Sequence, residues 1–217
     1  MKLKILKIEI TFDIIDAFLN LRNLNLFFIF IIITFEIGGN SFSKSTIIVN
    51  SWIFITLNTI FIFENFINKK QANYLIYIHK LKNIPLTYFI FIKILSHWIK
   101  FVFPIVILNI TYLTYSMNLS ITKTYLLILA FLLTSYNLSN INAMLDCLIL
   151  KASKKNILIL LLVFPNYLPL LTIIIKFTQN FTTNNNTEFE ISILCYLTLF
   201  LTVLIPILCN KILKSLD

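Results

Sequence analysis

The sequence predicts an all-α, polytopic membrane protein with six transmembrane helices. An N-terminal helix lies in the interface, and both termini sit on the inner side. Three observations predict this. Hydrophobic residues make up 59% of the chain and charged residues 12%, with a mean hydropathy of +0.89. A soluble domain carries about 45–50% apolar and about 25% charged residues, so this chain has too little polar surface to cover itself in water. Six apolar runs are each long enough for a helix to cross ~30 Å of hydrocarbon. The basic residues fall almost entirely on alternate connections between those runs.

The spans are placed at Leu21–Ile37, Ile47–Ile67, Leu86–Thr114, Tyr125–Leu150, Ile157–Phe177 and Ile191–Leu213. Lipid offers no partner to an open backbone group, and the alternation of a β-barrel is absent, so the spans are helices. One side receives Lys2, Lys4, Lys7 and Arg22, then Lys69, Lys70, Lys80 and Lys82, then Lys151, Lys154 and Lys155, and finally Lys211 and Lys214. The other side receives only Lys44, Lys123 and Lys176. The positive-inside bias puts the first group in the cytosol or matrix. The net charge of +9 then belongs to topology and anionic lipid headgroups rather than to nucleic acid, for which no groove-bearing domain exists.

Met1–Asn20 precedes the first span. Lys2, Glu9, Asp13, Asp16 and Asn20 share a narrow helical stripe beside Leu3, Leu6, Ile10, Ile14 and Phe18. That pattern fits a helix lying in the membrane surface, with a frayed lead-in as the alternative. No cleavable signal peptide is expected. Asn68–Pro85 is the longest inner connection, too short for a domain and too apolar for a plain linker. Lys69, Lys70, Tyr74, Leu75 and Tyr77 give it a compact amphipathic element. It either docks in a partner's groove or rests on the membrane surface. Gly38–Ser41 and Thr178–Asn186 are read as loops, the second as flexible.

Ionisable residues within spans are functional candidates. Lys93, His97 and Lys100 stand at i, i+4 and i+7, on one helix face, with Trp98 beside them. The lysines are placed to snorkel and Trp98 to anchor at the interface. For His97, haem ligation, proton relay and a plain hydrogen bond are all open. Glu64 and Asp146 close spans two and four on the inner side, near enough to water to be hydrated, and Glu64 is in reach of Lys93. Pro104, Pro165, Pro169 and Pro206 interrupt backbone pairing. Pro165-Asn166-Tyr167-Leu168-Pro169 predicts a kink with an unwound stretch. Cys147, Cys195 and Cys209 read as small buried hydrophobes, with no metal site. The sequence holds no phosphate-cradling glycine loop, no HExxH and no nucleophile with a base, so no enzymatic activity of its own is expected.

Glu64, the basic connection, Pro85 and the run from Lys93 through His97-Trp98 to Pro104 resemble the CcmB-type haem exporter membrane subunit. Lys151 followed by Pro165 and Pro169 resembles that family's basic loop and Pro-x-x-x-Pro fifth span. The connection departs from the family's pattern at Asn73-Tyr74 and Ile76-Tyr77. The resemblance covers the whole chain and implies one ABC-2-type permease domain over residues 1–217. It implies transport of haem in cytochrome c maturation, with no covalently bound cofactor. Partners would be a separate ATP-binding ABC subunit, haem-handling membrane proteins and the lipid bilayer, and a homodimer stays open. Residues 68–85 would form the coupling loop, with Lys69, Lys70, Tyr74, Leu75 and Tyr77 against the ATPase. Glu64, Lys93, His97, Trp98, Pro104, Pro165 and Pro169 would be the family's functional positions. A single Arg, two Gly and abundant Ile, Asn, Lys and Phe mark a very AT-rich genome. The mitochondrial inner membrane is the expected location, with a bacterial inner membrane second. A small respiratory-complex subunit and an ABC-2 permease for another substrate are the rival functions.

Overall fold

A computed structural model describes residues 43–63, 66–67, 85–151, 155–183 and 185–215. Among them every regular element is helical: α1 Lys44–Phe63, α2 Leu86–His97, a π-helical turn Trp98–Val102, α3 Phe103–Met117, α4 Ile121–Lys151, α5 Lys155–Thr183 and α6 Glu188–Lys214. Leu86–Met117, Ile121–Leu150 and Glu188–Lys214 are long and apolar enough to cross a membrane, judged by length and composition. Helices α1 and α5 coincide with the expected second and fifth spans. The expected first span, the interfacial helix 1–20, the Gly38–Ser41 loop, the connection 68–84 and both chain ends lie outside the described residues.

Local chemistry sets the helix limits. Ser43 Oγ accepts the Thr46 N–H at 3.3 Å and caps α1. Asn118 ends α3 in the left-handed region at φ 47°, which asparagine tolerates better than branched residues do. Glu188 and Glu190 open α6, and Lys211 and Lys214 close it, each matching the helix dipole.

α4 is the central pillar. It packs against α1, α2, the π turn, α3, α5 and α6. Trp52 of α1 stacks on Phe131 of α4 with ring centroids 3.7 Å apart, and Phe177 of α5 meets Trp52 edge-on at 6.5 Å. Along α2 and α3, buried residues recur at steps of four, interrupted at half-buried Trp98: Leu86, Ile90, Ile94, Val102, Val106 and Ile110. A four-residue step overshoots an α-helical turn by about 40°. The extra residue in the π turn takes back about 100° of the roughly 240° of drift between Leu86 and Ile110.

Two expectations are corrected. Pro165 and Pro169 do not unwind α5, which runs helically through both. Both prolines are exposed, and Tyr167 between them is buried with its hydroxyl donating to Asn142 Oδ1 of α4. The chain is thus anchored where proline weakens its own pairing. Thr178–Asn186 is not a flexible loop over most of its length, since α5 continues to Thr183. Phe181 stacks on Phe177 at 5.6 Å, Thr178 Oγ1 donates to Ile174 O, and Asn180 Nδ2 donates to Glu190 Oε1 of α6.

Candidate functional site

The first root of the 68–85 connection is tied to α4, and the second opens α2. The first root is the end of α1, whose last four carbonyls have no partner within the helix. His97 of α2 supplies one. Its Nε2 lies 3.2 Å from Ile62 O, and because a carbonyl only accepts, that nitrogen carries the hydrogen and donates. Beyond Phe63 the chain bends through Phe66 and Ile67, both buried. The Ile67 N–H donates to Asp146 Oδ2 of α4 at 2.8 Å, a bond strengthened when the carboxylate is ionised. The second root is Pro85, whose extended backbone (ψ 129°) precedes the first turn of α2. Leu86, the next residue, is buried.

Rings and cations fill the space between these ties. Lys93 Nζ lies 5.1 Å from the Phe66 ring centroid, and His97 meets the same ring edge-on at 5.2 Å. His97 also tilts against Phe101 at 4.6 Å, over which Lys100 Nζ sits at 4.9 Å. The Phe66 and Phe101 faces thereby receive the two ammonium groups, an arrangement favoured by the ring quadrupole. Lys93, His97 and Lys100 are brought together as their spacing predicts. The shared elements are the rings between them rather than a plain α-helical face.

The π turn has a sequence cause. Pro104 has no N–H, and in an α-helix its ring would press on the carbonyl of Lys100. The backbone widens instead, and the Phe103 N–H reaches back five residues to Trp98 O. Trp98 packs, half-buried, against the core. Its Nε1 donates to Ser135 Oγ of α4 at 3.2 Å, and its ring lies between Phe103 at 5.5 Å and Tyr136 at 5.4 Å.

Glu64, Lys69, Lys70, Tyr74, Leu75 and Tyr77 lie outside the described residues. Pro165 and Pro169 take no part in the cluster, because α5 packs chiefly on α1, α4 and α6. Asp146 and Ser135 are the residues that sequence reasoning did not place in the site. An aspartate inside an apolar run was the only signal for the first, and the half-buried Asp146 also ties a distant backbone N–H. Nothing in the spacing marks Ser135 as the partner of Trp98.

The cluster holds backbone and orients rings; it has no nucleophile–base pair. Iron ligation through His97 Nε2 would require breaking the cap on α1. Among the described residues no three His, Cys, Asp or Glu side chains converge to hold a metal ion. The three cysteines are free, and Cys147 and Cys209 are buried with their thiols facing each other across α4 and α6.

A comparison with curated proteins found no match. The family model described as "CcmB protein" matches residues 2–215. The match runs over nearly the whole chain. The protein belongs to the CcmB family, the membrane component of haem-exporting ABC systems in cytochrome c maturation.

Proposed function

We propose that this chain is the permease subunit through which a separate ATP-binding protein drives haem delivery for cytochrome c maturation. The ATP-binding partner docks on Tyr74, Leu75 and Tyr77, flanked by Lys69 and Lys70. Its closure pulls on the connection, and the pull enters the bundle through the two ties at the end of α1. The single observation that carries this reading is that pair of ties, His97 to Ile62 O and Asp146 to the Ile67 N–H. A linker with no mechanical role has no need to be held by side chains from two different helices. The driving energy is the difference in the partner's affinity for two arrangements of the helices. The permease converts that difference into a shift of packed elements.

In this reading Glu64, Lys93, His97, Trp98 and Pro104 set the geometry at the root of the lever, while Pro165 and Pro169 give α5 a weakened backbone. The basic connections and both termini face the matrix, and the AT-rich composition supports a mitochondrial inner membrane.

Mild-detergent co-purification tests the docking step. Replacing Tyr74, Leu75 and Tyr77 together with Ala is expected to release the ATP-binding subunit while the permease stays in the membrane. Full retention of that subunit in the triple variant would refute the assignment. His97→Ala is expected to leave the subunit bound and to lower covalent haem attachment to cytochrome c by tenfold or more. Normal attachment would reduce His97 to a packing residue.

A further inference from the structure

Two thiols meet inside the bundle and take no part in the ties described above. Cys147 of α4 and Cys209 of α6 are both fully buried. Their thiols hydrogen-bond to each other. The Cys209 thiol also donates to Ala143 O, one turn earlier on α4, at 3.9 Å. Both cysteines are free, so the form described is the dithiol.

The thiols meet because the helices approach closely. α4 and α6 both begin beside the end of α5: Lys123 Nζ sits over the Phe181 ring, and Glu190 accepts from Asn180 Nδ2. The two helices therefore run parallel. A cysteine carries a single heavy atom beyond Cβ, so a sulfur of α6 that touches a main-chain oxygen of α4 brings the two backbones close. Ala143 permits this, since its side chain is one methyl group, and small residues let membrane helices approach in this way. Sulfurs already in contact close toward bonding distance by turning about χ1, which gives up only the weak bond to Ala143 O.

We propose that Cys147 and Cys209 are an oxidisable pair whose disulfide staples α6 to α4. The oxidant is hydrogen peroxide, which is small and uncharged enough to enter a bundle that larger oxidants do not. One thiol gives up its proton, and its sulfur takes one peroxide oxygen to become a sulfenic acid; the proton and the displaced hydroxide leave as water. The second sulfur then displaces that oxygen, the S–S bond forms, and a second water leaves. In sum, two thiols and one peroxide give one disulfide and two waters. Burial slows the first step, which needs a thiolate. The second step has no such delay, because the partner sulfur is already in contact. Oxidation therefore stops at the disulfide instead of climbing to sulfinic acid. The bond falls one residue beyond Asp146, whose carboxylate holds the Ile67 N–H. Once oxidised, the pair fixes α6 to the part of α4 that anchors the first root of the 68–85 connection. The site stands whatever the transported substrate proves to be.

Peroxide treatment of the full Cys195→Ser chain in lipid, followed by unfolding in N-ethylmaleimide and measurement of the intact mass, tests the pair. The chain is expected to become lighter by two hydrogens, to take up no maleimide, and to recover both reactive thiols with dithiothreitol. Two maleimides bound after prolonged peroxide, oxygen added in place of hydrogen lost, or two chains joined through their cysteines overturns the proposal. In the unsubstituted chain the same bond is expected as a peptide linking the segment of Cys147 to that of Cys209. Thermal unfolding reads the staple separately. The oxidised chain is expected to melt several degrees above the reduced one, and dithiothreitol or Cys147→Ser to abolish the rise. An unchanged or lowered midpoint once the disulfide has formed rejects a staple between packed helices.

Discussion

α4 and α6 have similar lengths and opposite characters. In the apolar window of α4, 67% of the residues are buried, against 28% for α6. α4 concentrates Thr, Ser and Asn where it is most enclosed. α6 leaves Tyr196, Leu199, Phe200 and Val203 more than half exposed. In water such a row would be a liability. In a bilayer it is the ordinary outer wall, since acyl chains are as apolar as leucine. The contrast inverts the rule for soluble proteins: here polarity marks what lies inside, because a hydrogen-bonding side chain is too costly to leave in lipid.

The strongest test of that contrast is a charge on the α6 wall. Val203→Asp is expected to disfavour insertion by about 3 kcal/mol, the usual penalty for an aspartate at mid-helix. Protease protection of membranes from expressing cells measures the inserted fraction. A Val203→Asp chain that inserts normally would place Val203 against protein and collapse the distinction. A smaller effect is expected from α4 at its tie to α1. Asp146→Ala strands the Ile67 N–H and is expected to cost about 2 kcal/mol, the range for a lost bond to a charged group. Asp146→Asn, which keeps an acceptor, should recover much of this in the same denaturation assay. The smallest change is Ser135→Ala, which removes the acceptor for Trp98 Nε1. Polar contacts between membrane helices average about 0.6 kcal/mol, and the altered Trp98 fluorescence reports the loss directly.

Most of the helical architecture was legible because apolar length is a strong signal. Each expected span from the second to the sixth coincides with helix, and the family match spans residues 2–215. The π turn was not legible as such. Pro104 announces a disturbed backbone, but proline also permits a kink, and α5 passes through Pro165 and Pro169 as a continuous helix. The outcome depends on neighbours that a single sequence does not place, such as Asn142 holding Tyr167. The ties at the end of α1 were hidden for a similar reason. Asp146 lies 79 positions from the backbone it holds, a separation with no periodicity to betray it. His97 was singled out as an ionisable group in lipid, whereas its contact is with a helix end. The polar stretch of α4 is plain in the letters from Thr134 to Asn142, yet only the structure shows that those groups are buried in the bundle.

The five residues from Trp98 to Val102 give their helix one unit more than its turns require. Such a surplus can travel: passing it one turn along swaps hydrogen bonds in sequence and swivels the turn it crosses by about 100° relative to the rest of the helix. Pro104 forbids travel toward Met117, since it has no hydrogen to hand on. The only open direction leads back toward Leu86, so a single ring sets which way the register of this helix can shift.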